Sequence, residues 1–250
     1  MSDRPVIVVT GGSRGIGAAV SIKAAKAGYD VVVNYAGNAE AAQNTMAACE
    51  AAGAKAIAVQ ADVANQDGVD TVFKACDDTF GRLDAVVTNA GITGVSGKLV
   101  DADPDMIKSV IDLNVTGALL TARAGAARMM TSRGGKGGNI VNLSSAAVWI
   151  GSPNDFVWYA TSKGSIDVLT LGLSRELAGE GIRVNAVAPG LIDTEIHASA
   201  GIPDRIERLG SSVPIGRAGS ADEVADTIMY LMSDQASYVT GTVVKVAGGR

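Results

Sequence analysis

Seven short apolar runs recur along the chain, at Val6–Thr10, Asp30–Tyr35, Ala56–Gln60, Ala85–Thr88, Ile140–Leu143, Arg183–Ala188 and Val243–Val246. They are rich in β-branched residues and nearly continuous in apolar character, the pattern of strands buried on both faces. Longer, alanine-rich stretches between them predict helices over Ile16–Ala27, Ala39–Ala52, Gln66–Phe80, Pro104–Arg133, Val157–Ala178 and Ala221–Ser233. Two of these carry start signals. Pro104 follows Asp103 as a proline at the first helical position, and Ser220 precedes Glu223 at capping-box spacing. Strand–helix alternation of this kind predicts an α/β fold with a doubly wound, parallel seven-stranded sheet, right-handed crossovers and helices on both faces. No repeat, charge block or proline-rich linker divides the chain, and Gly134–Gly138 is too short to join two domains. Residues 1–250 are therefore expected to form a single domain.

Composition narrows the partners. Of 250 residues, 47 % are hydrophobic and 19 % charged, enough for a sizeable core. The net charge of −5 argues against nucleic acid, whose sites need clustered Lys and Arg. One histidine, His197, and two cysteines, Cys49 and Cys76, leave no set of residues for a metal centre or a disulfide framework. No metal is expected. The apolar run at Val6–Val9 is too short for a signal segment or a membrane span, so a soluble, cytoplasmic protein with no membrane partner is expected.

The first run leads into Thr10-Gly-Gly-Ser-Arg-Gly-Ile-Gly17 and then a helix. Glycines at such a turn let the main chain approach a pyrophosphate, with amide N–H groups and the helix N-terminus facing the anion. Gly11, Gly15 and Gly17 are spaced G-x-x-x-G-x-G, a variant of the Rossmann-type dinucleotide turn. The same stretch, Gly11-Gly-Ser-Arg-Gly15, also satisfies the G-x-S-x-G nucleophile elbow of hydrolases. That competing reading needs Ser13 as nucleophile and His197 as base. Arg14 beside Ser13 is better placed to attract a phosphate than an ester. The second strand ends Val33-Asn34-Tyr35-Ala36, where an Asp or Glu would bond the ribose 2′-hydroxyl of NAD. Asn34 carries no charge to repel a 2′-phosphate and Arg14 would attract one, so NADP(H) is the expected cofactor, with NAD(H) as the alternative.

Tyr159 and Lys163 stand four residues apart in a predicted helix, hence on one face. An ammonium beside a phenol is expected to draw its pKa from about 10 toward neutrality and make Tyr159 a usable proton donor or acceptor. Ser144-Ser145, at the end of the preceding strand, offers a hydroxyl for a substrate oxygen.

With these pieces in order, the whole chain resembles the short-chain dehydrogenase/reductase family, including its 3-oxoacyl-carrier-protein reductases. The matching motifs are Thr10-Gly-x3-Gly-x-Gly17, Asp62-Val63, Asn89-Ala-Gly91, Asn114-Val-x-Gly117, Ser145, Tyr159-x3-Lys163 and Pro189-Gly190 followed by Thr194. The resemblance implies that Tyr159 is the catalytic acid/base. Lys163 would lower its pKa and hold the nicotinamide ribose, Ser145 would orient the carbonyl, and Asn114 would hold a water in a proton relay to Lys163. Gly11, Ser13, Arg14, Gly15, Ile16 and Gly17 would cradle the phosphates, with Asn34, Tyr35 and Ala36 at the adenosine ribose. Asp62 and Val63 would contact the adenine, and Asn89, Ala90 and Gly91 the adenosine and ribose side. Pro189, Gly190, Ile192 and Thr194 would contact the nicotinamide. It further implies a substrate lid within residues 190–215, a homotetramer, and a small or acyl-carrier-bound carbonyl substrate. Two departures stand out. Thr88 replaces an asparagine common at that position, and the interval from Ser145 to Tyr159 is one residue longer than in many ketoacyl reductases. The latter leaves Ser144 as a rival to Ser145. Two alternative functions remain: a sugar or other alcohol dehydrogenase using NAD, or a non-catalytic NADP-binding regulator. His197 is expected to be exposed and Trp149 and Trp158 to flank the site. Cys49 and Cys76 are expected to be small buried hydrophobes.

Overall fold

The computed structural model describes residues 4–250. Strands β1 (Val6–Val9), β2 (Asp30–Tyr35), β3 (Ala56–Gln60), β4 (Ala85–Thr88), β5 (Gly138–Leu143), β6 (Ile182–Pro189) and β7 (Val243–Val246) form one sheet in the order β3-β2-β1-β4-β5-β6-β7. Every pairing is parallel. The chain reverses its direction of winding between β1 and β4, and such a switch point opens a crevice at the carboxyl ends of the strands.

The apolar runs are continuous because both faces are covered. Ile7, Val9, Val31, Val33, Val87 and Val141 enter one core with the helices α1 (Gly15–Lys26), α2 (Ala39–Ala51) and α10 (Ala221–Met232). Their neighbours Val6, Val8, Val32, Val86 and Ile140 point the other way, against α3 (Gln66–Phe80), α5 (Ala118–Met129) and α7 (Val157–Leu177). Burying one such valine is worth about 1.5–3 kcal/mol, so the alternation between two cores specifies the register of every strand. Helix starts are locally encoded. Asn38 and Asn65 accept from the amides of Ala41 and Gly68, and Ser220 and Glu223 form the expected capping box.

The single helix expected over Pro104–Arg133 is divided. It runs as α4 (Pro104–Ile111), a π-helical segment Asp112–Gly117, α5, and a final 3-10 turn Thr131–Arg133. Its 3.6-residue pattern is not broken by any proline or charge. The widening coincides with Gly117, where a Cβ would lie 2.5 Å from the Val63 carbonyl oxygen. Three further short helices, α6 (Ala147–Ile150), α8 (Ile196–Ser199) and α9 (Arg205–Leu209), are too brief to show a periodic pattern. Among the described residues no helix is long and apolar enough to cross a membrane.

Candidate active site

The turn after β1 is held by side chains from β2 and β4. Asn89 Nδ2 donates to the carbonyls of Thr10 (2.9 Å) and Gly11 (3.0 Å), while Thr10 Oγ1 accepts from the amides of Asn89 and Ala90. The loop closes so tightly that a Cβ on Gly17 would lie 2.2 Å from the Gly11 oxygen. Gly11 and Gly15 adopt φ of 60° and 53°, which side-chain-bearing residues rarely accept. The first turn of α1, with its unsatisfied amides, faces a cavity of about 630 Å³. Gly11, Ser13, Arg14, Gly15, Ile16, Tyr35, Ala36, Asp62, Val63, Asn89, Ala90, Gly91 and Thr194 line it, as expected of a dinucleotide groove. Gly17 is buried beneath it. These residues fit the phosphates of a dinucleotide, because the glycine turn leaves bare main chain where any Cβ would intrude.

Asn34 stands differently from its expected part at the ribose. It borders the groove, but its amide is spent on the protein, accepting from Gly11 N (3.3 Å) and donating to the carbonyls of Val59 (3.3 Å) and Ala61 (3.0 Å). It braces the glycine turn against β3. The groove wall there is formed by Tyr35, Ala36, Gly37 and Asn38, facing the exposed Arg14.

A second cavity of about 310 Å³ adjoins the first and shares Ile16, Asn89, Gly91, Thr93, Thr194 and Ile196 with it. Ser145, Tyr159, Lys163, Pro189, Gly190 and Ile192 line it. The structure separates the two serines. Both line this cavity, but Ser145 acts on the Tyr159 phenol, drawing its pKa down, and its Oγ accepts from Ala147 N (3.1 Å). Ser144 Oγ is instead engaged in donating to Asp167 Oδ1 (2.5 Å). Lys163 Nζ donates to the Leu143 carbonyl (2.7 Å) and lies 5.8 Å from the centre of the Tyr159 ring.

The expected depression of the tyrosine pKa is not what the protein by itself shows. Burial pushes the Tyr159 phenol above its ordinary value, and the Ser145 hydrogen bond opposes this only in part. Burial likewise lowers Lys163, from 10.5 to about 8. Helical spacing does bring the two together, but the amine is committed to Leu143, and desolvation is the leading cause of both shifts.

Asn114 sits between α4 and α5. It is buried in the π-helical segment, where Oδ1 accepts from Ile92 N (2.9 Å) and Nδ2 donates to Ile92 O (2.8 Å) and Ser162 Oγ (3.0 Å). Its side chain is a brace for the segment after β4, with both amide hydrogens donated and one Oδ1 lone pair in use. Thr88 keeps a polar role, donating to Asn142 Oδ1 (2.8 Å).

Ser13 and His197 line different cavities and no hydrogen bond joins them. His197 is half-buried rather than exposed; its Nε2 meets the Ile192 carbonyl at 2.9 Å, and burial lowers its pKa. The nucleophile–base pair of a hydrolase is therefore absent among the described residues. Trp158 is buried, with Nε1 donating to Thr93 O (2.7 Å), and Trp149 lies under Lys245. Cys49 and Cys76 are buried thiols pushed up to about 11 and about 12 by desolvation. Ile196 and Arg205, within the expected lid at residues 190–215, also line the second cavity, as do Ile150 and Asp155, which were not anticipated. Asp155 follows a turn in which Ser152 and Asn154 take φ of 45° and 60°.

A sheet wound in this order, a glycine turn at its switch point and a Ser-Tyr-Lys group beside it define a nicotinamide-dependent oxidoreductase. Residues 11–250 match the family model described as "Enoyl-(Acyl carrier protein) reductase", and the chain belongs to the short-chain dehydrogenase/reductase family. It is 48 % identical over 245 residues to "Uncharacterized oxidoreductase YgfF" of Escherichia coli (strain K12), covering 98 % of this chain and 99 % of that one. A short chain dehydrogenase from Burkholderia cenocepacia, solved in complex with NADP, superposes with a TM-score of 0.89 at 34 % identity, covering 98 % and 97 % of the two chains. The 3-ketoacyl-(acyl-carrier-protein) reductase of Brucella melitensis, complexed with NADH, gives 0.90 at 29 % identity, covering 98 % of each.

Proposed function

We propose that this protein is an NADP(H)-preferring carbonyl reductase or alcohol dehydrogenase resembling the 3-oxoacyl-carrier-protein reductases, with Tyr159 as general acid/base. The observation that carries it is the meeting of Ser145, Tyr159 and Lys163 in one cavity that opens into the glycine-turn groove through Asn89, Gly91 and Thr194. A bound nicotinamide supplies or accepts the hydride. In the reducing direction Ser145 orients the carbonyl oxygen and Tyr159 gives it the hydroxyl proton. Burial keeps Tyr159 protonated at neutral pH, which suits a donor, whereas alcohol oxidation needs the phenolate and is favoured as the pH rises. Lys163, lowered to about 8, still carries its proton at pH 7 and re-protonates Tyr159 from the inner side. With both Asn114 amide hydrogens donated within the protein, a relay water for Lys163 is held through an acceptor, the Asn114 main-chain carbonyl in the π-helical turn.

NADP(H) is favoured over NAD(H) because Arg14 faces a wall of Tyr35, Ala36, Gly37 and Asn38 that contains no carboxylate. The reading takes residues 1–250 as one domain, residues 190–215 as the substrate lid, and the working form as a cytoplasmic homotetramer acting on small or carrier-bound carbonyl compounds.

The test is turnover of a panel of β-keto esters, ketones and aldehydes, followed by NADPH and NADH absorbance in parallel, for wild type and Tyr159→Phe. Loss of a general acid removes about 10²–10⁴-fold in rate. NADPH affinity is expected to be unchanged. Wild-type rates in Tyr159→Phe would remove the acid, and equal use of NADH would remove the role of Arg14.

A further inference from the structure

Three consecutive residues at the end of β5 meet three residues on one stripe of α7. Ser145 lines one cavity with Tyr159, the Leu143 carbonyl accepts from Lys163 Nζ at 2.7 Å, and Ser144 Oγ donates to Asp167 Oδ1 at 2.5 Å. Tyr159, Lys163 and Asp167 follow one another at four-residue spacing, so they lie along one helical face, about 6 Å apart from rung to rung. Ser144 Oγ also approaches the Lys163 carbonyl, at 3.5 Å. The catalytic reading uses two of these rungs and leaves the third, a half-buried carboxylate, without a part.

We infer that Asp167 is a positioning residue that, through Ser144, sets the approach of Ser145 to Tyr159. The main chain around Ser145 is tied to the sheet, since Ser144 N donates to Val187 O and Ala146 N to Pro189 O, both at 2.9 Å. Those bonds fix the serine relative to β6. They do nothing to fix the helix that carries the tyrosine. Side chains tie the strand end to the helix at Lys163, at Asp167 and at Thr170, whose Oγ1 accepts from Asn142 Nδ2 (2.9 Å); of these Lys163 belongs to the reacting centre, while Asp167 lines neither cavity and holds the residue next to Ser145. Ser144 is buried, so its hydroxyl needs an internal acceptor, and a carboxylate provides a stronger one than a neutral group. Burial costs Asp167 something in return, holding its pKa above the ordinary carboxylate value while the Ser144 bond draws it down. A misplacement of the order of 1 Å at a reacting pair costs about a hundredfold, so even partial slackening is measurable.

The inference rests on Tyr159 being the acid, and the experiment separates the two. Reduction of ethyl acetoacetate by NADPH is measured for wild type, Tyr159→Phe, Asp167→Ala, Asp167→Asn, Ser144→Ala and the Asp167→Ala/Ser144→Ala double variant, with melting temperatures alongside. Asp167→Ala is expected to lower kcat about tenfold or more, with KM for both substrates within twofold. Ser144→Ala should match it, and the double variant should be no slower than either single one. Asp167→Asn, whose amide oxygen still accepts from Ser144, should return kcat to within about threefold of wild type. Crystals of Asp167→Ala should show Ser145 Oγ displaced from Tyr159, a readout that needs no turnover. Wild-type kcat in Asp167→Ala below its melting temperature, losses that multiply in the double variant, an Asn variant as slow as Ala, or an undisplaced Ser145 would each overturn the assignment. Full turnover in Tyr159→Phe would instead overturn the acid itself.

Discussion

Along the dinucleotide side of the cleft, between β1 and β4, the working surface is main chain: a glycine turn, the amides of α1, and side chains such as Asn34 and Asn89 used to brace them. Along the reducing side, under α7, the working surface is side chain, with Ser145, Tyr159 and Lys163 reaching across from two elements. The first side works by leaving out atoms, so its requirements are steric and confined to a few adjacent positions. The second works by charge and hydrogen bonding in a buried setting, so its requirements are electrostatic and spread over distant segments. A substitution on the first side should therefore damage affinity for the cofactor, and one on the second should damage turnover or alter stability with pH.

Among effects on binding and stability, Gly17→Ala is expected to have the largest. Its methyl group would fall 2.2 Å from Gly11 O and 2.6 Å from Asn89 Nδ2, so the turn must open and lose the Asn89 clamp. NADPH affinity should fall by about a hundredfold, roughly 2.7 kcal/mol, in a fluorescence titration. Unchanged affinity would mean that the turn does not hold the phosphates.

Lys163→Met probes the other side through stability. A lysine lowered from 10.5 to about 8 binds fewer protons folded than unfolded between those two values, so stability rises with pH across that window. Below about pH 8 the burial penalty is present in full, about 3 kcal/mol for a shift of that size. Methionine removes the penalty and forfeits one hydrogen bond to Leu143 O, worth about 1 kcal/mol. The variant should be inactive yet more stable than wild type by about 2 kcal/mol in urea unfolding at pH 7, with the advantage fading toward pH 10.5. A variant that is less stable at pH 7, or a difference independent of pH, would contradict the burial of that charge.

The same contrast explains what could be read from residue order alone. The sheet was legible because parallel strands covered on both faces are apolar throughout, and the glycine turn because its steric rule is local. The pairing of Tyr159 with Lys163 was legible from four-residue spacing. The sign of the tyrosine shift was not, because spacing reports proximity and says nothing of desolvation. Asn34 and Asn114 were placed at the site but not given their tasks, since each spends its amide on groups 22–48 residues away in sequence. The division of the helix over Pro104–Arg133 was hidden for a similar reason: Gly117 packs on Val63, a contact no periodicity records.

The smallest of these effects is expected at the mouth of the second cavity. Arg205 in α9 pairs with Asp155 (2.6 Å) where both are largely shielded, 14 % and 24 % exposed, and its guanidinium lies over the Phe156 ring at 5.1 Å. Asp155 in turn accepts from Ser96 Oγ (2.6 Å), and its carbonyl from Gly97 N (2.9 Å). Three segments thus converge on Asp155 beside the reducing cavity, and none of the three carries the glycine turn. Arg205→Met keeps much of the side chain's bulk and leaves Asp155 its Ser96 partner, so the fold should persist while the α9 segment loses its tie. KM for a carbonyl substrate should rise about tenfold, equivalent to about 1.4 kcal/mol, with NADPH affinity unchanged. Asp155→Ala should be worse, because it strands a shielded guanidinium without its partner. Should NADPH affinity fall along with substrate affinity, the two sides of the cleft would be coupled through α8 and Thr194, and the division drawn between them would have to be given up.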